Sequence, residues 1–182
     1  MIDHDHGCRH PDVQLCNDLP LELAQNSTGS LYLVQITSDG IKWKETSFPI
    51  KYRVTSLIGE GGMRNCYNCD LLSSNVLDTT LAYVVKTYKD STIRTMYEIH
   101  YKPHLSKSKN EAIISMTKKE VQSQMSARML SLNFKDVIPK EFGEAPRIIP
   151  CYMIQDNNSH HVYVLEEKLK GKFVKYMNND GR

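Results

Sequence analysis

Three glycines occupy neighbouring positions in the first half of the chain, at Gly59, Gly61 and Gly62. Consecutive backbone N–H groups can hold a phosphate only where no side chain obstructs them, so a glycine cluster between two strands suits a phosphate-binding loop. The same cluster is also typical of a tight hairpin turn or a bulge. The glycines alone therefore leave a phosphate loop and a plain turn as alternatives.

A lysine and a glutamate further along the chain could complete a phosphate site. The run LAYVVKTY, residues 81–88, is predicted to be a strand, and Lys86 lies on one of its faces. A lysine on a covered face is costly to desolvate unless it is paired, and Glu120 on a predicted helix would orient its ammonium toward a phosphate oxygen. A strand lysine paired with a helix glutamate is the kinase arrangement. Two plainer interpretations stay open: Lys86 at a solvent-exposed strand end, and Glu120 closing a helix capping box with Thr117.

The third candidate element is the run VYVLEEKLKGKF, residues 162–173. A strand that ends in a short, extended polar segment can present backbone C=O and N–H groups to the edge of an adenine ring. Such a contact depends on geometry more than on side-chain identity, so the run by itself is also an ordinary strand end.

The elements that would position these groups follow from periodicity and turn residues. Residues 1–30 are predicted to be an irregular leader, and residues 31–182 a single domain. Strands are predicted from Leu31 onward, a helix from Thr117 to about Leu132, and a closing β-hairpin in residues 147–169. This order predicts an α+β fold, an antiparallel sheet with one principal helix, as in the N-terminal lobe of a kinase.

Composition limits the partners. The 182 residues include 23 basic and 21 acidic ones, a net charge of +2 that favours neither nucleic acid nor an anionic membrane. No segment approaches the ~20 apolar residues of a membrane helix, and the N-terminus lacks the features of a secretory signal. Five cysteines leave one unpaired in any full disulfide scheme. We therefore expect a cytoplasmic protein with no nucleic-acid or membrane partner.

Two sets of residues could bind a metal ion, and each also has a plain structural interpretation. Cys66 and Cys69 could form half a zinc site, although two cysteines in a strand more often pack as small hydrophobic residues. The leader holds a denser set of possible ligands: His4, His6, Cys8, His10 and Cys16. Adventitious metal binding by this leader is the favoured interpretation, so no metal site is predicted.

Taken together, the ordered blocks of the chain resemble one known family. The blocks GGMRNCY, LAYVVKTY, KEVQSQMSARML and VLEEKLKGKFVKYMNNDG follow one another as they do in the atypical alpha-kinase family. That family includes the myosin heavy chain kinases, the elongation-factor kinase and the kinases fused to certain ion channels. The resemblance runs from about Trp43 to Gly181, and the stretch FPIKYRVTSLIGEGGMR is most similar to the myosin heavy chain kinase type.

The resemblance implies an ATP-binding lobe and a role for each candidate residue. Family members transfer the γ-phosphoryl group of ATP, with magnesium, to serine or threonine of a protein substrate. Glu120 would be the helix partner of Lys86, and these two are the implied catalytic residues. The implied ATP-binding residues are the glycines over the phosphates, the strand lysine and the backbone of the hinge to adenine: Gly59, Gly61, Gly62, Lys86, Glu167 and Leu169.

The resemblance also implies what this chain lacks. In the family, the catalytic aspartates and a structural zinc site of histidines and cysteines lie C-terminal to the block similar to KYMNNDG, and this chain ends at Arg182. We therefore expect a truncated kinase that is inactive alone and lacks the family's zinc site. One alternative is a non-catalytic, pseudokinase-like binding module with hinge-side residues such as Leu169 and Phe173 uncovered. A weaker alternative is a metal-binding interaction domain that uses the N-terminal histidines and cysteines.

Overall fold

The computed structural model describes residues 25–101 and 108–171. Within these ranges the chain forms strands, two α-helices, a π-helix (Tyr97–Tyr101) and a short 3-10 helix (Lys140–Phe142). The strands and α-helices are β1 (Ser27–Thr37), β2 (Gly40–Glu45), β3 (Ile50–Glu60), β4 (Arg64–Ser73), β5 (Tyr83–Tyr88), α1 (Asp90–Met96), α2 (Lys109–Lys135), β6 (Cys151–Asp156) and β7 (Val162–Glu167). The predicted α+β class is confirmed.

The sheet closes on itself, which the sequence did not predict. All of its strand pairs are antiparallel, in the order β2-β1-β3-β4-β5-β7-β6, and β1 also pairs with β6. Strands β1, β3, β4, β5, β7 and β6 therefore form a closed barrel, with β2 extending the sheet along β1. At the closure Gly29 pairs with Asp156, and a Cβ added to Gly29 would lie 2.8 Å from the Gln155 carbonyl oxygen. Only glycine lets the two backbones approach this closely.

The two faces of the barrel wall bury different sets of residues, because side chains alternate along each strand. The inner set fills the barrel: Leu31, Ile50, Tyr52, Val54, Tyr67, Cys69, Leu71, Tyr83, Val85, Ile154, Tyr163 and Leu165. The outer set joins residues of the barrel's outer face to residues of the two α-helices. The strand residues are Val34, Cys151, Met153, Val162 and Val164, and the helix residues are Ile93, Ile113 and Val121. Any polar group on the outer face near α2 is therefore shielded by that helix.

Helix α2 begins eight residues before the predicted start. Its N-terminus is closed by a capping box in which Ser108 and Glu111 bond reciprocally, so the predicted start at Thr117 is wrong. Thr117 is instead a buried residue in the helix interior. Val121 is buried against the barrel, whereas residues of the C-terminal part of α2 are exposed, such as Leu132 at 46%.

Two strand boundaries also differ from the prediction. Strand β1 begins at Ser27, within the predicted leader, because its first residues pair with β3. Strand β6 begins at Cys151 rather than Arg147. The preceding residues are extended, but their carbonyls accept hydrogen bonds from α2: Gln124 Nε2 donates to the Ile149 oxygen at 3.2 Å, and Arg128 donates to the Ile148 oxygen. None of the helices in the described ranges is long and apolar enough to cross a membrane.

Candidate functional site

The glycine turn, residues 59–63, comprises the last two residues of β3, where Gly59 pairs with Cys66, and the three residues that connect β3 to β4. The Gly61 N–H donates to the Arg64 oxygen at 2.7 Å, which closes the turn. A Cβ added to Gly59 or Gly62 would meet nothing within 4 Å, and left-handed φ among the described glycines occurs elsewhere, at Gly40, Gly143 and Gly171. The turn is thus a hairpin, but neither its φ angles nor its surroundings require glycine at positions 59 and 62.

Lys86 lies on the outer face of β5 and pairs with Glu166. Its Nζ is 2.5 Å from Glu166 Oε2, with 29% of the lysine side chain and 5% of the glutamate side chain exposed. The pair forms because β5 and β7 are antiparallel with Val84 opposite Glu166, so Lys86 and Glu166 are diagonal neighbours on one face. Glu166 Oε1 is also buried and makes no hydrogen bond within the described residues. One buried acceptor therefore remains open beside the lysine.

Glu120 lies on α2. It was expected to pair with Lys86, but its partners in the structure are Arg64 and Tyr88. Its carboxylate forms an ion pair with Arg64 and accepts a hydrogen bond from Tyr88 Oη at 2.8 Å. The Arg64 guanidinium also lies 5.9 Å from the centre of the Tyr88 ring. Arg64 and Tyr88 are register partners on β4 and β5, so both reach the helix at the same point. The single expected pair is replaced by two: Lys86 with Glu166, and Arg64 with Glu120.

The electrostatic environment of this face extends to Cys66, the register partner of Lys86. Burial raises the pKa of the Cys66 thiol, with Lys86 acting in the opposite direction and Glu166 in the same one. Cys69 points to the barrel interior, where burial raises its pKa to about 12. Since these two cysteines face opposite sides of β4, they cannot bind one metal ion together.

Possible metal ligands do not gather elsewhere in residues 25–101 and 108–171, where no group of three or more histidine, cysteine, aspartate or glutamate side chains could hold an ion. The N-terminal set of histidines and cysteines lies outside the described residues. Cys66 and Cys69 lie on opposite faces of β4 because period-two alternation separates residues three apart.

The predicted hinge follows β7. Glu167 is the last residue of that strand, and its Oε2 is 3.5 Å from Arg147 Nη2. The Lys168 N–H donates to the Ala82 oxygen at 2.8 Å, so the backbone continues beside the chain that leads into β5. Leu169 is 64% exposed, as the non-catalytic alternative expects, while Phe173 lies outside the described residues.

Three side chains of this face were not assigned a role from the sequence: Arg64, Tyr88 and Glu166. A signal for Glu166 was present, since alternation along VYVLEE places it on the same face as Val162 and Val164. Arg64 likewise stands two residues before Cys66, on the same face of β4. Their partners could not be read from the sequence, because each contact joins elements distant along the chain.

Comparison with known proteins matches the part of the chain that contains these residues to one family. Residues 59–182 match the model of the alpha-kinase family, a range that begins at the glycine turn and includes Lys86, Glu120 and Glu166. The rat transient receptor potential cation channel subfamily M member 7 is 25% identical over 123 residues, which cover 66% of this chain and 6% of the channel. Human member 6 of that subfamily is 23% identical over 124 residues, 67% of this chain and 6% of the channel. The matched region is thus a small part of these relatives.

Proposed function

This chain belongs to the alpha-kinase family, and from that premise we propose that it carries the ATP-binding part of an alpha-type serine/threonine protein kinase. The reaction would be transfer of the γ-phosphoryl group of ATP to a serine or threonine hydroxyl of a protein. Such transfer depends mainly on positioning and on stabilisation of charge, so the groups that hold the phosphates matter most.

The observation that carries the proposal is the placement of Lys86. It is a partly buried ammonium, and its register partner Cys66 lies four residues after Gly62, so Lys86 and the glycine turn are near the same end of the β3–β4 hairpin. Within the described residues Lys86 forms an ion pair with Glu166, and 29% of its side chain stays exposed. A lysine held in this way is suited to contact a phosphate oxygen.

The other parts of the site would each bind one region of ATP. The backbone of Gly59, Gly61 and Gly62 would lie over the phosphates: an added Cβ at Gly59 or Gly62 would meet nothing within 4 Å, while the Gly61 N–H already donates to the Arg64 oxygen. Backbone groups at Glu167 and Leu169 would contact the adenine edge. Magnesium would neutralise phosphate charge when it is bound with ATP, and no residue of the described ranges is assigned to it as a ligand.

Glu166 would support this site in two ways. Its Oε2 holds the Lys86 ammonium at 2.5 Å and so fixes the direction of the lysine side chain. Its Oε1 is buried and, within the described residues, unbonded, so it could accept a hydrogen bond from a donor on a bound ligand. A buried acceptor costs free energy until it is satisfied, which favours ligand binding at this position.

A second candidate function is a non-catalytic module that acts through protein contacts. Its support is a group of exposed apolar side chains at the C-terminal part of α2 and after it: Leu130, Phe134, Val137 and Phe142, which are 47% to 74% exposed. Several large apolar side chains exposed within a short stretch of chain are a feature of protein interaction sites. Exposed apolar side chains at these positions are compatible with either function.

The proposal is tested by calorimetric titration of the chain with ATP, with and without magnesium. Lys86→Ala is expected to weaken binding by roughly tenfold or more, as for the loss of a charged hydrogen-bond donor. Lys51→Ala removes an exposed lysine of β3 and is the matched control, with unchanged affinity expected. If the folded wild-type chain binds no ATP under either condition, the ATP-binding function is wrong and the non-catalytic module is favoured.

A further inference from the structure

We propose that Glu120 is a positioning residue for the glycine turn, acting through Arg64 rather than through Lys86. This inference rests on the proposed function, since it concerns how the turn is held for ATP. Arg64 is the first residue of β4 and directly follows the turn, so whatever fixes its side chain also fixes one end of the turn.

The contacts of Arg64 come from two elements. Its guanidinium forms an ion pair with Glu120 of α2 and lies 5.9 Å from the centre of the Tyr88 ring on β5. Tyr88 Oη donates to Glu120 Oε2 at 2.8 Å, which holds the carboxylate in place. Only 30% of the arginine side chain and 17% of the glutamate side chain are exposed, so solvent screens this pair less than a surface pair.

A second, weaker contact fixes the other side of the turn. Lys89, which follows β5, donates its backbone N–H to the Met63 oxygen at 2.9 Å, and its Nζ is 3.2 Å from Glu60 Oε2. The Glu60 side chain is 58% exposed, and an ion pair this exposed contributes little. Of these two ion pairs, Arg64–Glu120 is therefore the better shielded.

The backbone hydrogen bond of Gly61 closes the turn, but the glycines have no side chain with which to hold its position. Positions 59 and 62 have no side chain, and even an added Cβ there would contact nothing. Glycine loses more conformational freedom than any other residue when it is ordered, so ordering the turn around phosphates is costly unless its ends are already held. Glu120 would reduce that cost without touching ATP, and a shift of α2 would be transmitted to the turn.

Limited trypsin digestion tests the positioning directly, because cleavage after Arg64 requires its side chain to be free. In Glu120→Gln we expect cleavage after Arg64 to accelerate several-fold, with cleavage after Arg53 unchanged because its ion pair with Asp70 is untouched. Tyr88→Phe should give a smaller acceleration, since it removes the hydrogen bond to Glu120 and keeps the ring beside Arg64. Glu141→Gln removes the same charge at an exposed position and is the control.

ATP titration of the same variants separates the two claims. Glu120→Gln is expected to raise the dissociation constant roughly fivefold, in line with loss of a charge-assisted contact, while its melting temperature stays near the control's. Unchanged cleavage after Arg64 would overturn the positioning role, and faster cleavage with unchanged ATP affinity would overturn its link to ATP. Absence of ATP binding in the wild-type chain and the control would instead contradict the proposed function, while the digestion still decides the positioning.

Discussion

The barrel seam and the turn face use similar residues in opposite ways. The barrel seam is the closure between β1 and β6, with Gly29, Tyr52 and Asp156. The turn face is the glycine turn together with Arg64, Lys86, Glu120 and Glu166. In the seam, the Asp156 carboxylate is buried and accepts four hydrogen bonds: from Tyr52 Oη at 2.6 Å, from the N–H groups of Asn158 and Ser159, and from Ser159 Oγ. On the turn face, Glu166 has one oxygen bonded and one unbonded within the described residues.

The glycines show the same contrast. A side chain at Gly29 would collide with the neighbouring strand, whereas one at Gly59 or Gly62 would enter open space. In the seam, the fold explains every small or polar residue by a contact that it makes. On the turn face, the fold leaves the glycines and an acceptor unexplained. We infer that the seam serves stability and that the unused groups of the turn face serve a ligand.

The largest expected effect is on the seam. Asp156→Ala would leave the buried Tyr52 hydroxyl and two backbone N–H groups without their acceptor, so we expect the free energy of unfolding to fall by about 3 kcal/mol or more. Urea denaturation measures it. The control is Asp70→Ala, which breaks an ion pair whose aspartate side chain is 49% exposed and should cost less than about 1 kcal/mol. Equal losses in the two variants would remove the contrast between the regions.

Alanine at two glycines should change stability in opposite directions. Gly29→Ala forces a Cβ to 2.8 Å from both the Gln155 oxygen and Ile154 Cγ2, and overpacking of this kind costs about 1–3 kcal/mol. Gly62→Ala has open space and no left-handed φ, so it should stabilise the chain by about 0.4–1 kcal/mol through the unfolded state. The measurement is again urea denaturation.

One of these two variants, Gly62→Ala, also tests whether the glycine turn binds ATP. Gly62→Ala should weaken ATP binding despite its greater stability, because its methyl group lies where the phosphates would approach. Should Gly62→Ala bind ATP as tightly as the wild type, the glycine turn would be only a hairpin.

The smallest expected effect is the pH dependence of the seam. Burial raises the pKa of Asp156, but hydrogen bonds from Tyr52, Ser159 and Asn158 outweigh it and lower the pKa below its ordinary value. The folded chain therefore keeps this carboxylate ionised at a pH where the unfolded chain has protonated it. Its stabilising contribution is complete above the ordinary aspartate value of about 3.9 and is lost as the pH falls through the lower folded value.

We therefore expect the difference in unfolding free energy between the wild type and Asp156→Asn to be constant near neutral pH and to shrink in acid. Denaturation series at several pH values measure this difference, and comparing the two chains cancels the titration of the other carboxyl groups. A difference that does not change with pH would mean that the carboxylate is not held in its ionised form.

Much of the framework could be predicted from the sequence. Alternation identified the strands and placed Lys86 on one face of β5, and the ordered blocks identified the family that the comparison then confirmed. The start of α2 was predicted wrongly because the sequence contains two capping signals. These are Thr117 with Glu120, and Ser108 with Glu111. The second pair is used, since the residues that follow it, Ala112 among them, are apolar and pack in the interior.

The sequence by itself determined which segments contain strands, on which face of its strand Lys86 could lie and which family the chain resembles, because these depend on local periodicity and on the order of blocks. Only the tertiary structure decided that the sheet closes at Gly29, that Lys86 pairs with Glu166, and that Glu120 pairs with Arg64. Each of these contacts joins residues from distant parts of the chain. Their choice depends on strand register and on the path of α2, and no short stretch of sequence encodes either.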